Sequence, residues 1–411
     1  MRRGRAIALA VIVALLVVAL GALYWASRAA TVGAFALRMA GDALGLDIRA
    51  GGFEYRLRGT PQLVARDVVA RQPGADVALL TAERVLISAP WSTLRARGAS
   101  LDVARLELDA PVLDLAAFQR WWATRPPGEG RTPSFAEGIA VADGRIVAPG
   151  WRLDALGLDL PRFAPGAPLR ARVHGRYETG GLRAPFDLRL AMTRAAARAG
   201  IGLAGTLAPA AGDWRLPARL RLGAALDAGD GSIELHRAAL SLRARLRGGG
   251  TDVPLVAGLA GEIALAGGGV RAEPLALSLR GSGPVPQLRA RGLAALHGDL
   301  AVALEGALAR WPEGWPALPA PIGASDAPLP FALGYDGPAD LGAPVALRVA
   351  RDDARIEGRA RPGELLAWLD GLDRGTPLPP LDGRLQAPRL ELDGATLHGV
   401  DIRVVDDDPT P

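Results

Sequence analysis

The chain contains no cysteine, and its 411 residues include neither lysine nor asparagine, so all 48 basic residues are arginine. Each absence removes a class of chemistry. Without cysteine there is no disulfide framework, thiolate nucleophile or Cys-ligated zinc. Without lysine there is no Walker-type phosphate loop and no Schiff-base enzyme. Histidine is scarce as well. His174, His236, His297 and His398 stand about sixty or more residues apart, so neither an HxxxH nor an HExxH metal helix can form. No GxSxG elbow occurs. "GSGPVP" at Gly281–Pro286 lacks the strand–helix setting of a dinucleotide loop. The reading is a non-enzyme with no cofactor and no bound metal.

Glycine (52) and proline (33) together make about a fifth of the chain, against an average near ~12%, while hydrophobic residues reach 49%. Such a chain folds, and it folds with many turns. Residues Ala6 to Ala26 form an uncharged run of 21. At ~1.5 Å per residue a helix of that length matches the hydrocarbon core of a bilayer, ~30 Å thick. Arg2, Arg3 and Arg5 precede the run, which keeps the amino terminus in the cytoplasm, and Tyr24 and Trp25 close its far end at the interfacial belt. A cleaved signal peptide would have an apolar region of only ~7–15 residues. Here the run is longer, and Arg28 interrupts the small-residue cleavage site. Residues 1–28 are therefore expected to be an uncleaved anchor, with Ala6, Leu16, Leu23, Tyr24 and Trp25 in or beside the bilayer. The expected location is the inner (plasma) membrane, single-pass, with the bulk of the chain on the far side, which is the periplasm if the cell is a Gram-negative bacterium.

Ala29 to Leu46 has apolar residues at helical spacing, Val32, Phe35, Ala36, Met39, Ala43 and Leu46, which predicts an amphipathic helix. After it the period becomes two. Phe53, Tyr55 and Leu57 alternate with Glu54, Arg56 and Arg58, the pattern of a half-buried strand. "ERVLIS" and "LDVARLELDAPVLDL" continue it, with a phase slip at Ala104 and Arg105 that predicts a bulge. Strand-like runs such as "LRARVHGRY", "LSLRARL" and "RLELDG" then persist almost to the end, separated by Gly and Asp-Gly turns. Two short helices are predicted, at Ala116–Thr124 and Pro362–Leu372. The fold class is mainly β: an anchor and an amphipathic helix, then a long antiparallel meander of about 25 strands. The expected divisions are 29–125, a central meander at 134–310, and 331–411. A sheet this long must close, pair or coil, because open edges aggregate. The alternation fits an apolar gutter and a self-packed sandwich equally well.

Leu101, Val103, Leu106, Leu108, Leu188, Leu190, Leu240 and Leu242 are the expected apolar floor, facing lipid if the sheet is a gutter. Arginines also recur at strand spacing, at Arg170/Arg172, Arg219/Arg221, Arg243/Arg245/Arg247 and Arg289/Arg291, so each set points to one face. Arg243, Arg245 and Arg247 are candidate contacts for lipid phosphates. The bland account is a solvated face. Nucleic acid is a poor partner for a net charge of +5 with dispersed basic residues.

The segment from Ala43 to Trp122, with "ALGLDIRAGGFEYRLRGTPQLVARDVVA", "APWSTLRARGASLDVARLELDAPVLDL" and "FQRWW", resembles the amino-terminal region of the AsmA family of envelope proteins. The carboxyl-terminal "GELLAWLDGL…LDGRLQAPRLELDGATLHGVDIRVV" is similar to the way such proteins end. One departure is that "AAFQRWW" stands where the family pattern has a "dG-nW" stretch. The resemblance implies a groove-shaped, taco-like β structure related to bridge-like lipid-transfer proteins, with an inner-membrane anchor. It also implies a role in outer-membrane lipid or protein homeostasis, with phospholipids or lipopolysaccharide as partners. The competing reading is a non-catalytic envelope assembly scaffold, or a secretion-system subunit of the type II N-like kind, that binds envelope proteins.

Overall fold

The chain is described by a computed structural model covering residues 29–95, 102–124, 132–229, 231–283, 285–312, 327–364, 382–392 and 395–405. The run carrying Ala6, Leu16, Leu23, Tyr24 and Trp25 lies outside these residues, as does Leu101. Among the described residues no helix is long and apolar enough to cross a membrane. The chain is mainly β and divides into two compact units, Met1–Ala195 and Ala196–Pro411.

The first unit opens with α1 (Ala29–Leu44), closed by Gly45 in the left-handed conformation (φ +58°) that ends many helices. Met39, expected on the buried face, is 59% exposed. The helix docks through a glycine instead: a Cβ on Gly33 would lie 2.1 Å from the Phe53 ring. Strands β1 (Asp47–Arg49) and β2 (Gly52–Arg56) both pair with β3 (Gln62–Arg71), which pairs with β4 (Leu80–Ser88). A short helix that the periodicity did not indicate, α2 (Trp91–Arg95), follows.

The proline-containing stretch then breaks into β5 (Asp102–Val103), β6 (Arg105–Asp109) and β7 (Val112–Asp114). At Ala104 the slip is a strand break, not a bulge. Its buried amide bonds to the Ser88 carbonyl at 2.7 Å, and β5 leaves to pair in parallel with β8 (Ser134–Phe135). Next comes α3 (Leu115–Ala123), well capped at both ends. The Asp114 carboxylate accepts the Ala117 N–H at 2.7 Å, and the Thr124 hydroxyl donates to the Trp121 carbonyl at 2.7 Å. Trp121 Nε1 donates to the Leu44 carbonyl at 2.9 Å, tying α3 to the end of α1.

Strands β9 (Ile139–Ala148), β10 (Trp151–Leu160), β11 (Leu169–Thr179) and β12 (Leu182–Met192) complete the unit as antiparallel hairpins. β6 and β7, however, pair with β9 in parallel. The expectation of an antiparallel meander throughout is corrected here. A capped helix lies between those strands, and a crossover through a helix returns the chain in its original direction.

The second unit is antiparallel throughout its described ladders. β13 (Arg198–Leu207) pairs with β16 (Ala218–Gly229), with the small hairpin β14 (Ala210–Ala211) and β15 (Trp214–Arg215) between them. Then β17 (Ser232–Gly248), β18 (Thr251–Ala266), β19 (Gly269–Gly281), β20 (Gln287–His297) and β21 (Asp299–Arg310) follow, each pairing with the one before. The meander ends with β22 (Leu329–Pro338), β23 (Val345–Arg351), β24 (Ala354–Ala360), β25 (Asp382–Leu392) and β26 (Ala395–Val404). Of the predicted helix at Pro362–Leu372, residues 362–364 are helical and the rest lie outside the described residues.

Bulges recur at one level across β3 to β10 of the first unit and β16 to β20 of the second. In the first unit Asp67 (φ +49°), Ala110 (+46°), Asp143 (+53°) and Ala155 (+49°) are left-handed residues in or between neighbouring strands. Side chains alternate faces along a strand, so an extra residue is needed wherever apolar positions are an odd number apart. Leu153 and Leu158, five apart on β10, pair with Tyr177 and Val173, four apart on β11, and both stay on one face. In the second unit Leu235 and Ala238 on β17 pair with Ile263 and Gly261 on β18, around the left-handed Arg237 (φ +50°). The Arg237 amide, which has no ladder partner at the bulge, donates to Glu262 Oε1 at 3.0 Å.

Candidate functional site

Held in phase by these bulges, the apolar residues line up across the strands. In the first unit Phe53, Ala65, Val85, Leu108, Val141, Leu158, Val173 and Leu188 form one row, each directly opposite the next. Leu106 lies in the adjacent row between Ile87 and Ile139, and Leu190 stands opposite Ala171. Leu106, Leu108, Leu188 and Leu190 therefore share one face. Val103 does not join them, because β5 belongs to the separate two-stranded sheet.

A longer row crosses the second unit: Leu203, Leu222, Leu240, Leu259, Leu277, Ala290, Gly306, Phe331, Val349, Ile356, Leu385 and Ile402. Leu242 lies in the next row, between Leu220 and Ala257. Burial varies along this face. Leu329, Leu308 and Val349 form a buried cluster with Trp311 packed against it. Leu240, Leu242, Leu259 and Leu277 are only half-buried. At the far ends of their strands Ile233, Val270 and Leu296 are 42%, 40% and 41% exposed.

Arg243, Arg245 and Arg247 alternate with Leu242, Ala244 and Leu246 on β17, so they occupy the opposite face. A lipid tail lying over Leu242 and a headgroup bound at Arg243 would be separated by the sheet itself. Arg245 and Arg247 share one carboxylate, Asp252, at 2.9 and 3.6 Å.

Polar faces differ between the units. In the first, Arg84 bridges Asp109 (2.6 Å) and Glu107 (2.8 Å). Arg145 and Arg152 both reach the buried Asp154 at 2.7 Å, and Arg152 also meets Glu178. Burial opposes ionisation of Asp154, but hydrogen bonds from the two guanidiniums outweigh it and hold the carboxyl below its usual range. Glu107 is held low chiefly by its hydrogen bond from Arg105. In the second unit Glu262 is held low by the Arg237 amide and then by His236, whose Nδ1 lies 2.8 Å away. A cavity of about 1080 Å³ follows a charged row, with Arg291, Glu305, Arg348, Glu357 and Arg384 in its lining. Arg348 pairs with Glu357 there at 2.8 Å.

Sequence reasoning picked out the leucines and the arginine sets but not the rows that join them, because register is invisible in a single strand. Among the described residues no group of three or more His, Asp or Glu is placed to hold a metal ion. No known family model, curated protein or solved structure matches the chain.

Proposed function

We propose that this chain is an inner-membrane-anchored periplasmic β protein that shields or relays phospholipid acyl chains in outer-membrane homeostasis. The observation that carries the reading is the unbroken apolar row across the second unit, half-buried along much of its length. Each methylene kept from water is worth about 0.8 kcal/mol, so a strip of leucines and alanines lowers the cost of moving an acyl chain. A tail needs no directional contacts, which suits a surface poor in aromatic and hydrogen-bonding side chains. The resemblance to the AsmA family belongs to the same proposal.

The test is photo-crosslinking from Leu108 and Leu242 in the full chain. Lipid adducts at both positions are the expected result, and well-folded protein with only internal crosslinks overturns it. A reporter enzyme fused after Pro411 is expected to be active only in an exported compartment.

One observation favours the scaffold reading. β26 pairs only with β25 among the described residues, and Leu397 and Ile402 on it are exposed. An apolar strand with a free edge is a template for a partner's strand. Envelope proteins would then be the partners, and the crosslinks from Leu242 would carry no lipid.

A further inference from the structure

The arginine sets at Arg219/Arg221, Arg243 and Arg289/Arg291 lie on separate strands, and the ladder registers bring them together. On the polar face Arg219, Arg243, Val256 and Arg280 form one row. Beside it run Arg221, Ser241, Gly258, Ser278 and Arg289. Arg291 stands two residues beyond Arg289, opposite Ala276. All six arginines are exposed. Among the described residues none of the six has an ion-pair partner, unlike the paired arginines around Asp154. The floor between them is small: a Cβ on Gly258 would already lie 2.8 Å from Ser278 Oγ.

This arrangement costs stability. Arg219 is directly opposite Arg243, and like charges facing each other across a ladder repel. Asp227, Glu234, Glu262 and Glu273 of this face lie toward the other end of the strands, Asp252 is taken by Arg245 and Arg247, and Glu305 stands opposite Arg291 at the margin of the field. The field spreads over β16, β17, β19 and β20, with long guanidinium arms standing on small residues. An array of unpaired guanidiniums distributed over several strands complements a surface that displays many phosphates side by side better than it complements one small anion.

We propose that this face docks onto an anionic lipid bilayer, with Arg219, Arg221, Arg243, Arg280, Arg289 and Arg291 contacting lipid phosphates. It is a different surface from the apolar face, so the acyl-chain reading can fail while this one stands, and the reverse.

The test uses the full chain held by its amino-terminal segment in phosphatidylcholine nanodiscs. Flotation then measures its attachment to added vesicles of phosphatidylcholine alone or of phosphatidylcholine with phosphatidylglycerol. Attachment only to the phosphatidylglycerol vesicles is expected, weakening as salt rises. The triple variant R219Q/R243Q/R289Q should attach at least about tenfold more weakly, since each arginine near an anionic surface contributes severalfold to binding. The control R172Q/R198Q removes two ion-paired arginines and should attach as the wild type does. Should the triple variant fail to fold, Ser241→Asp places a carboxylate within the field and is expected to give a comparable loss. Equal attachment to both vesicles, or full attachment by a folded variant, overturns the proposal. So does displacement by inorganic phosphate beyond that by chloride at matched ionic strength, which would mean single phosphates are recognised and not a surface. Lipid crosslinks from Leu242 are scored separately and bear only on the apolar face.

Discussion

Leu242 and Arg243 are consecutive on β17 and serve opposite faces: Leu242 stands between Leu220 and Ala257, and Arg243 between Arg219 and Val256. Substitutions at the two positions should therefore separate cleanly. Leu242→Asp is expected to abolish lipid adducts from a probe at Leu240 while leaving vesicle attachment intact. Arg243→Gln is expected to weaken attachment severalfold while leaving those adducts intact, read by crosslinking and flotation on the same preparations.

Position along the apolar face should grade the cost of truncation. Leu329 is 1% exposed within the cluster beside Trp311, so Leu329→Ala should cost about 2–5 kcal/mol in urea unfolding. Leu242 is half-buried, so Leu242→Ala should cost clearly less, about 1–2 kcal/mol. Equal losses would mean that Leu242 is sealed in a packed interior, and the acyl-chain reading would fall with that result.

The left-handed bulge residues predict a gain. A non-glycine side chain in that conformation costs about 1–2 kcal/mol. Ala155→Gly removes the clash but frees the unfolded chain, so a net stabilisation of up to about 1 kcal/mol is expected in urea titration. Deleting Ala155 would leave Leu153 and Leu158 four apart, the separation of their partners Tyr177 and Val173, so both should stay on one face and the first unit should keep its cooperative transition.

Gly138 tests a close approach of backbone to backbone. Its φ is +86°, and a Cβ there would lie 1.9 Å from the Leu160 carbonyl oxygen. Gly138→Ala should cost about 2 kcal/mol or more, because neither chain can move aside without breaking the β9–β10 ladder. A melting temperature equal to that of the wild type would contradict this geometry.

Acid should weaken the first unit through its arginine–carboxylate network. Asp154 and Glu107 have folded pKa values below their unfolded ones, about 3.9 for Asp and 4.3 for Glu. Their contribution is complete above that range and is lost as pH falls through the lower, folded values. Asp154→Asn should thus be destabilised at neutral pH, and its deficit against the wild type should shrink near pH 2. Chemical denaturation at several pH values gives both numbers.

Much of the strand content was legible because a half-buried strand writes its alternation into the residues, as in Phe53, Tyr55 and Leu57 or Leu240 and Leu242. Legible for the same reason was the helix carrying Trp121 and Trp122. The bulge level was not, since Asp67, Ala110, Ala155 and Arg237 are not glycines and carry no turn signature. Nor was the parallel return of β9, which depends on where α3 settles. Met39 has the spacing of a core residue, but α1 makes its contact with Phe53 through Gly33. The arginine field was visible only as separate pairs. Arg219 meets Arg243 through register, a property that two strands hold jointly.

From β16 onward every described strand of the second unit except β26 pairs with the strand that follows it. A chain built this way can fold in the order in which it is made. Each strand finds its partner already in place, and the loop to be closed is only a turn. The growing end always presents a fresh unpaired edge, so synthesis or export can pause at any hairpin with everything behind it already zipped. The first unit lacks this freedom at one point: β6 and β7 must wait for α3 and β9 before their second edge is covered. That crossover, not the long meander, is where delay and misassembly should concentrate.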